Sequence, residues 1–323
     1  MLAQEHATQA TTDAAAEAAS HGTGHAASEG FNAGETIINH VSNSSLDHPL
    51  IHLPTIAGID FSVTKHVFML WLVAAVVFLI VTTVIRRYLK SGRTVPTGFM
   101  NAIEALVVYV RDEMVQPNVG RKWVNTWTPL MLTFFVFILS ANAIGLIPVF
   151  DVVALIDHYI LHTAPDSFLK NVVHGGTTAT ANFNVTAALA TVTFGAIIVA
   201  GTKAHGFVKH WMNLVPHGLA WPIYILLIPI ELMGMFVKPF ALTMRLAANM
   251  TGGHIAILAI LSFVFLFAEM FHSSLAGIGV GLAVSVPLAV GISALEIIVV
   301  LVQAYVFTLL TAVFIGMAIH VHH

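Results

Sequence analysis

Residues 219–271 read LAWPIYILLIPIELMGMFVKPFALTMRLAANMTGGHIAILAILSFVFLFAEMF, and this stretch decides the fold class. It is apolar almost throughout, interrupted only by Pro222, Pro229, Pro239 and a few charges. At a rise of about 1.5 Å per residue it would extend nearly 80 Å if straight, against a hydrocarbon core about 30 Å thick. The residues leave two readings open: a hairpin turning near Lys238-Pro239, or one long, kinked and tilted helix. Either belongs in a membrane. The rest of the chain agrees, with 323 residues, 57 % hydrophobic, 9 % charged and a mean hydropathy of +0.86. A soluble domain carries about 25 % charge, so most of this surface does not face water. The net charge of -3 gives no reason to expect a nucleic-acid partner. With no cysteines, disulfides, iron–sulfur clusters and thiolate metal sites are excluded.

Working outward, a second long apolar stretch, 278–319, follows the polar His272-Ser273-Ser274 and ends in a His-rich tail, 320–323. Three shorter stretches precede them, at 66–88, 128–148 and 185–208. The first ends in Arg86, Arg87, Lys90 and Arg93, the densest basic cluster of the chain, which the positive-inside rule places on the cytoplasmic or equivalent side. Lys203 and Lys209 at the exit of the third span fit the same side. Asp151, Asp157 and Asp166 between the second and third fit the other. Residues 97–116 mix Leu106, Val107 and Val110 with Glu104, Arg111, Asp112 and Glu113, an amphipathic pattern suited to the membrane surface. Residues 1–59 carry no basic n-region and no apolar run, so they read as a polar, disordered extension on the outer side rather than a signal peptide. The expected fold is all-α and polytopic.

Charges inside lipid are the informative residues, because each costs about 2.5–3.5 kcal/mol at the bilayer centre on insertion scales. After Arg121 the chain has a single arginine, Arg245, in the middle of its longest apolar stretch. With about 100° per residue, Glu231, Lys238, Asn249 and Gly252 fall within roughly 40° of Arg245 on a helix. A stripe of Glu, Lys, Arg, Asn and Gly on a greasy helix normally faces a water-filled path or a partner. Ala247, Ala248, Gly252 and Gly253 leave room for close helix approach. On the last stretch Glu296 and Gln303 share a face, and Ser293 lies one turn before Glu296. His254 falls nearly opposite Arg245, toward a neighbouring helix. A histidine and a buried carboxyl together suit a proton relay.

The stretch FALTMRLAANMTGGH closely resembles the signature of subunit a of F-type ATP synthases, the stator half of their membrane motor. WTPLMLTFFVFILSANAIGLIP is similar to the family's second span. TATANFNVTAALA, His205-Gly206 with Pro216, and LEIIVVLVQAYVF are similar to its later elements, in order. The resemblance covers about residues 60–319. It implies five crossings plus the surface helix, with the last two helices long and tilted along a rotating c-ring. It implies that Arg245 meets the carboxylate of each ring subunit and bars a direct leak. Asn249 and Gln303 match polar positions beside it. His254 and Glu296 match a pair in which the family holds an acid and a histidine in either order. Glu231 matches an acidic position toward the inner exit, and Lys238 and Ser293 are further candidates. The implied role is non-catalytic: two proton half-channels couple ion flow to ring rotation and ATP synthesis, without cofactor or metal. The implied partners are the c-ring, the subunit b peripheral stalk, the remaining F0F1 subunits and membrane lipid. The implied setting is a bacterial plasma membrane, or alternatively the mitochondrial inner membrane, with the N-terminus outside and the C-terminus cytoplasmic. Nothing in the family pattern covers 1–59 or an insert at 149–176.

Two other classes compete. A secondary transporter could bind an anionic substrate through Arg245, but it predicts inverted repeats, and none is visible in the sequence. A haem or metal enzyme needs several buried histidines at facing depths, and only His254 lies deep in an apolar stretch. No GxxxxGK[ST] occurs, so the chain carries no P-loop of its own.

Overall fold

A computed structural model of the chain describes residues 34, 62–92, 94–146, 179–212, 221–271 and 274–320. The expected extension 1–59 (Gly34 apart), the insert 149–176 and the tail residues 321–323 lie outside them. The described residues are helical almost throughout. In chain order, α1 spans Lys65–Ser91 and α2 spans Phe99–Tyr109, followed by a π-helical turn at Val110–Val115 and the short α3, Gln116–Val119. Then come α4 Val124–Leu146, a 3-10 turn Ala179–Ala181, α5 Phe183–His205, α6 Phe207–Met212, α7 Trp221–Met270 and α8 Ser274–Ile319. Five of them (α1, α4, α5, α7 and α8) are long and apolar enough to cross a membrane. This is the expected all-α polytopic architecture.

The hairpin at Lys238-Pro239 does not form: α7 is one helix of 50 residues with Pro229 and Pro239 inside it. Each proline removes one backbone hydrogen bond, and in lipid the freed groups must find another partner. For Pro239 the freed group is the Met235 carbonyl, and one turn on the Thr243 hydroxyl donates to the Pro239 carbonyl at 3.0 Å. A helix of this length reaches about 75 Å, so it cannot stand upright in a hydrocarbon core of about 30 Å and must lie strongly tilted. The other differences at helix ends are small. α4 begins at Val124, before the expected Thr128, because Pro129 is held inside its first turns rather than starting the helix, and the Thr128 hydroxyl bonds Val124 O at 2.7 Å. α5 begins at Phe183, where the Asn182 side chain caps it by accepting from Asn184 N at 2.8 Å. The amphipathic stretch runs on to Val119. Pro117 has no N–H for the carbonyl four residues back, and the chain just before it widens to a π turn, with Gln116 N bonding Arg111 O. Arg111 and Asp112 pair with each other at 2.7 Å, and the guanidinium holds that carboxyl below its usual range.

α7 and α8 form an antiparallel hairpin. Near its turn Gly277, Gly281, Ser285 and Ala289 are buried at successive i, i+4 positions, a stripe of small residues along α8. A Cβ on Gly281 would lie 2.7 Å from the Val264 Cα, and one on Gly277 would collide with Ala268, so the two backbones touch there. Lipid supplies no hydrophobic drive between helices, and close backbone packing of small residues takes its place. Further along, α8 enters the main core. Phe307 meets Phe134 edge-to-face at 5.5 Å, with Trp127, Met131 and Ile138 of α4, Ala196 and Ala200 of α5, and Leu242 and Leu246 of α7 around them. At the end of α8, Gly316 lies against the backbone carbonyl of Asn118, closer than any Cβ would allow. Gly316→Ala must therefore push α8 from the surface segment, at a cost of about 1–3 kcal/mol. A lower thermal midpoint of the detergent-solubilised protein checks this; an unchanged midpoint would mean the contact is not tight.

Candidate functional site

The charged stripe expected on α7 is real, and it faces outward. Arg245, Asn249 and Gly252 are exposed, while Glu231 and Lys238 are half-buried. The buried side of the same turns is Leu242, Leu246 and Met250, all packed inside the protein. Arg245 itself lies on the open side of these turns. It sits deep in an apolar helix, yet the chain does not cover it, and among the described residues no carboxylate pairs with it. Its own helix explains the geometry: the packing face of α7 points to α5 and α8, and the stripe is what remains. A fixed cation on an apolar surface calls for a counter-charge outside the chain.

Asn249 stands one turn beyond Arg245 and links the two long helices. Its Nδ2 donates to Gln303 Oε1 at 2.9 Å, and Gln303 is 3 % exposed. The next turn of α7 faces inward. His254 Nδ1 lies 3.8 Å from Glu296 Oε1, a separation too long for a direct hydrogen bond and short enough for an ion pair or one small movement. Glu296 is 3 % exposed, and neither of its oxygens accepts a hydrogen bond from the described residues. Gly253 makes this approach possible: a Cβ there would come 2.5 Å from Glu296 Oε1 and 2.9 Å from its Cδ. So the structure brings together four of the expected residues, Asn249 with Gln303 and His254 with Glu296. Arg245 borders the first pair.

The remaining candidates stay apart from this cluster. Glu231 lies fourteen residues before Arg245, about 21 Å along the helix. Lys238 lies between them with its Nζ 5.8 Å from the Phe314 ring centroid, a cation over an aromatic face. Ser293 is half-buried on α8 and hydrogen-bonds to neither pair. The stripe thus has three stations along α7: a carboxylate, a lysine, and an arginine beside an amide pair. The His–Glu pair follows behind the helix.

Other contributors were not foreseen. Thr251 Oγ1 donates to Ala181 O at 3.3 Å, fastening α7 to the 3-10 turn beside the His254 level. One residue before that anchor, the fully buried Thr180 donates to the fully buried Asn142 of α4. The TGGH run announced close packing, but only the fold shows that Gly253 receives Glu296 while Gly252 stays open. Among the described residues no group of three or more His, Asp or Glu could hold a metal ion.

Comparison with known proteins joins these observations to a family. Residues 67–316 match the family model described as ATP synthase A chain. The chain is 39 % identical over 298 residues to an ATP synthase subunit a 2 of Chlorobium luteolum, covering 90 % of this chain and 77 % of that protein. It is 39 % identical to an ATP synthase subunit a of Chlorobium phaeobacteroides, covering 91 % and 78 %. It is 37 % identical to an ATP synthase subunit a 2 of Prosthecochloris aestuarii, covering 91 % and 82 %. The match takes in all five long helices and every residue of the stripe and the two pairs, and on this ground the chain belongs to the ATP synthase A chain family.

Proposed function

We propose that this chain is the ion-conducting stator subunit of a rotary F0F1 ATP synthase, itself non-catalytic, seated in a bacterial plasma membrane against a c-ring and held by the subunit b stalk. The family membership displaces the secondary-transporter reading. The single observation that carries the proposal is the placement of Arg245: exposed, without a carboxylate partner among the described residues, on the outward stripe of the longest helix. Rotating carboxylates on a partner ring meet that need.

In this reading a proton enters from the outer side and passes the His254–Glu296 pair, where a 3.8 Å gap lets an imidazole and a carboxylate hand it on. It crosses the Asn249–Gln303 amide bridge region and neutralises a ring carboxylate. Neutral, that group can travel through lipid. Nearly a turn later it loses the proton toward the inner side near Glu231, with Lys238 adding positive potential on the way. Arg245 then attracts the carboxylate past it. A guanidinium does not deprotonate in proteins, so Arg245 relays no proton and separates the two half-channels. Each proton crossing releases about 2.3 kcal/mol per 100 mV. The N-terminus lies outside and the C-terminus inside.

The absence of cysteines allows a direct test of the facing surface. Cysteine at the exposed Met244 or Ala248 forms disulfides with cysteines placed on the ring subunit in the assembled complex. Cysteine at the buried Leu246 or Met250 does not. Cross-linking from the buried pair but not the exposed pair would place the ring elsewhere. A second test concerns Gly253. Gly253→Ala pushes the Glu296 carboxylate away from His254 at little cost to folding, since the far end of a side chain can yield. ATP-driven proton pumping in inverted vesicles should fall by roughly tenfold, in line with what about an ångström of misplacement costs. Wild-type pumping in this variant would separate the glycine from the path.

A further inference from the structure

Away from this path, three helix ends meet around a cleft of about 330 Å3: the loop before α4, the end of α5 and the end of α8. Its polar wall is Arg121, Lys122, Trp123 and His320, and its apolar wall is Val119, Ala204 and Ile319. Arg121 and Lys122 are both exposed, and among the described residues no carboxylate pairs with either. Lys122 Nζ stands 5.4 Å from the Trp123 ring centroid. The nearest acid–base pair along the chain, Arg111 with Asp112, is closed on itself. The carbonyl end of α8 is partly satisfied within the fold. His205 Nε2 bonds Ile319 O at 2.9 Å, so the ring caps the terminal carbonyls of that helix. Gly120, at φ 78, turns the loop under the His320 ring, which lies 3.4 Å from where a Cβ would stand.

We propose that this cleft binds the headgroup of an anionic phospholipid. Its position is the first reason. α1 ends in the Arg86, Arg87 and Lys90 cluster, the surface segment α2–α3 follows, and the cleft opens where that segment turns up into α4, at the level of the membrane interface. A tryptophan at this level is an interface anchor. Next to Ala204 and His205, the short α6 leaves Phe207, Val208 and Met212 exposed, as suits a segment bordering acyl chains. Charge is the second reason: two cations, and among the described residues no acid, line the wall, and basic pockets between membrane helices take phosphodiester headgroups. The volume is the third. It equals roughly ten water molecules at about 30 Å3 each, room for a phosphate with its glycerol. A free anion such as inorganic phosphate would use the same cations but not the apolar wall.

The test uses the complete ATP synthase complex in phosphatidylcholine vesicles containing a minor fraction of phosphatidylglycerol with a photoactivatable headgroup. Illumination should label the peptide that contains Gly120–Trp123 and the one that ends in His320. Arg121→Gln together with Lys122→Gln should lower that labelling by roughly tenfold or more, as loss of two interfacial cations implies. Arg121→Lys with Lys122→Arg should keep it, and excess inorganic phosphate should not displace it. Undiminished labelling of the double Gln variant would overturn the site. So would absence of label in the wild-type complex, or equal labelling by a photoactivatable phosphatidylcholine. Loss of label to inorganic phosphate would reassign the cleft to a free anion. If the double Gln complex does not assemble, the wild-type contrast between the two lipids decides alone.

Discussion

Arg245→Ala abolishes ATP-driven proton pumping in vesicles reconstituted with the complex, while ATP hydrolysis by the detached soluble sector survives. The expected loss is complete within the sensitivity of a fluorescence-quench assay. The reason is physical rather than structural. The side chain is exposed and pairs with no carboxylate among the described residues of its chain, so truncating it opens no core cavity and strands no internal partner. Removing a cation from an apolar helix relieves about 2.5–3.5 kcal/mol of insertion cost, so the variant should enter the membrane at least as well. What disappears is the guanidinium that separates the proposed half-channels. A carboxylate on the ring then has nothing to draw it forward. Protons can also cross without turning the ring, so passive proton conductance of vesicles stripped of the soluble sector should rise. Arg245→Lys separates charge from shape: it keeps a cation but loses the planar fork, and should remain impaired. Normal pumping by the Ala variant would remove Arg245 from the mechanism.

The charge pattern of α7 was legible before any coordinates because it depends on one helix alone. Period and hydrophobicity place Glu231, Lys238, Arg245, Asn249 and Gly252 on one face, and they set His254 apart from it. Whether α7 is one helix or two was not legible from the residues. Two internal prolines usually end a helix, but a lipid environment penalises any break in backbone hydrogen bonding, and the helix runs through both. The small-residue stripe Gly277, Gly281, Ser285 and Ala289 was in the sequence, at regular spacing, but small apolar residues carry no chemistry and are easily passed over. The side of α7 that its own protein covers is hidden in the sequence for a related reason. Hydropathy shows that a residue lies at membrane depth, and only packing shows which side of the helix its own protein covers. The cleft at Arg121, Lys122, His205 and His320 could not be read at all, since it joins three segments remote in sequence.

The exchange of His254 and Glu296 carries the second large effect. Glu296→Gln keeps the size of the side chain and removes its proton exchange, so pumping should fall by about 10²–10⁴-fold, the usual span for a lost acid–base group. His254→Glu alone sets two carboxyls where 3.8 Å now separates a histidine from a carboxylate. Like charges at that distance disfavour joint ionisation, and the pair would hold its proton rather than pass it on. His254→Glu combined with Glu296→His restores one acid and one base across the same gap and should recover a substantial part of the wild-type rate. The cycle through both single variants and the double then yields a coupling free energy of roughly 0.5–3 kcal/mol, the range for side chains in contact. Gly253 limits how far the recovery can go. It leaves room for a carboxylate arriving from α8, and an imidazole placed at 296 must fit the same gap beside the α7 backbone. Partial rescue is therefore the expected outcome, and a further gain on lengthening the gap, for example with Glu296→Asp beside His254, would contradict it. If the two single effects simply add, His254 and Glu296 are separate stations, and the 3.8 Å contact has no part in moving the proton.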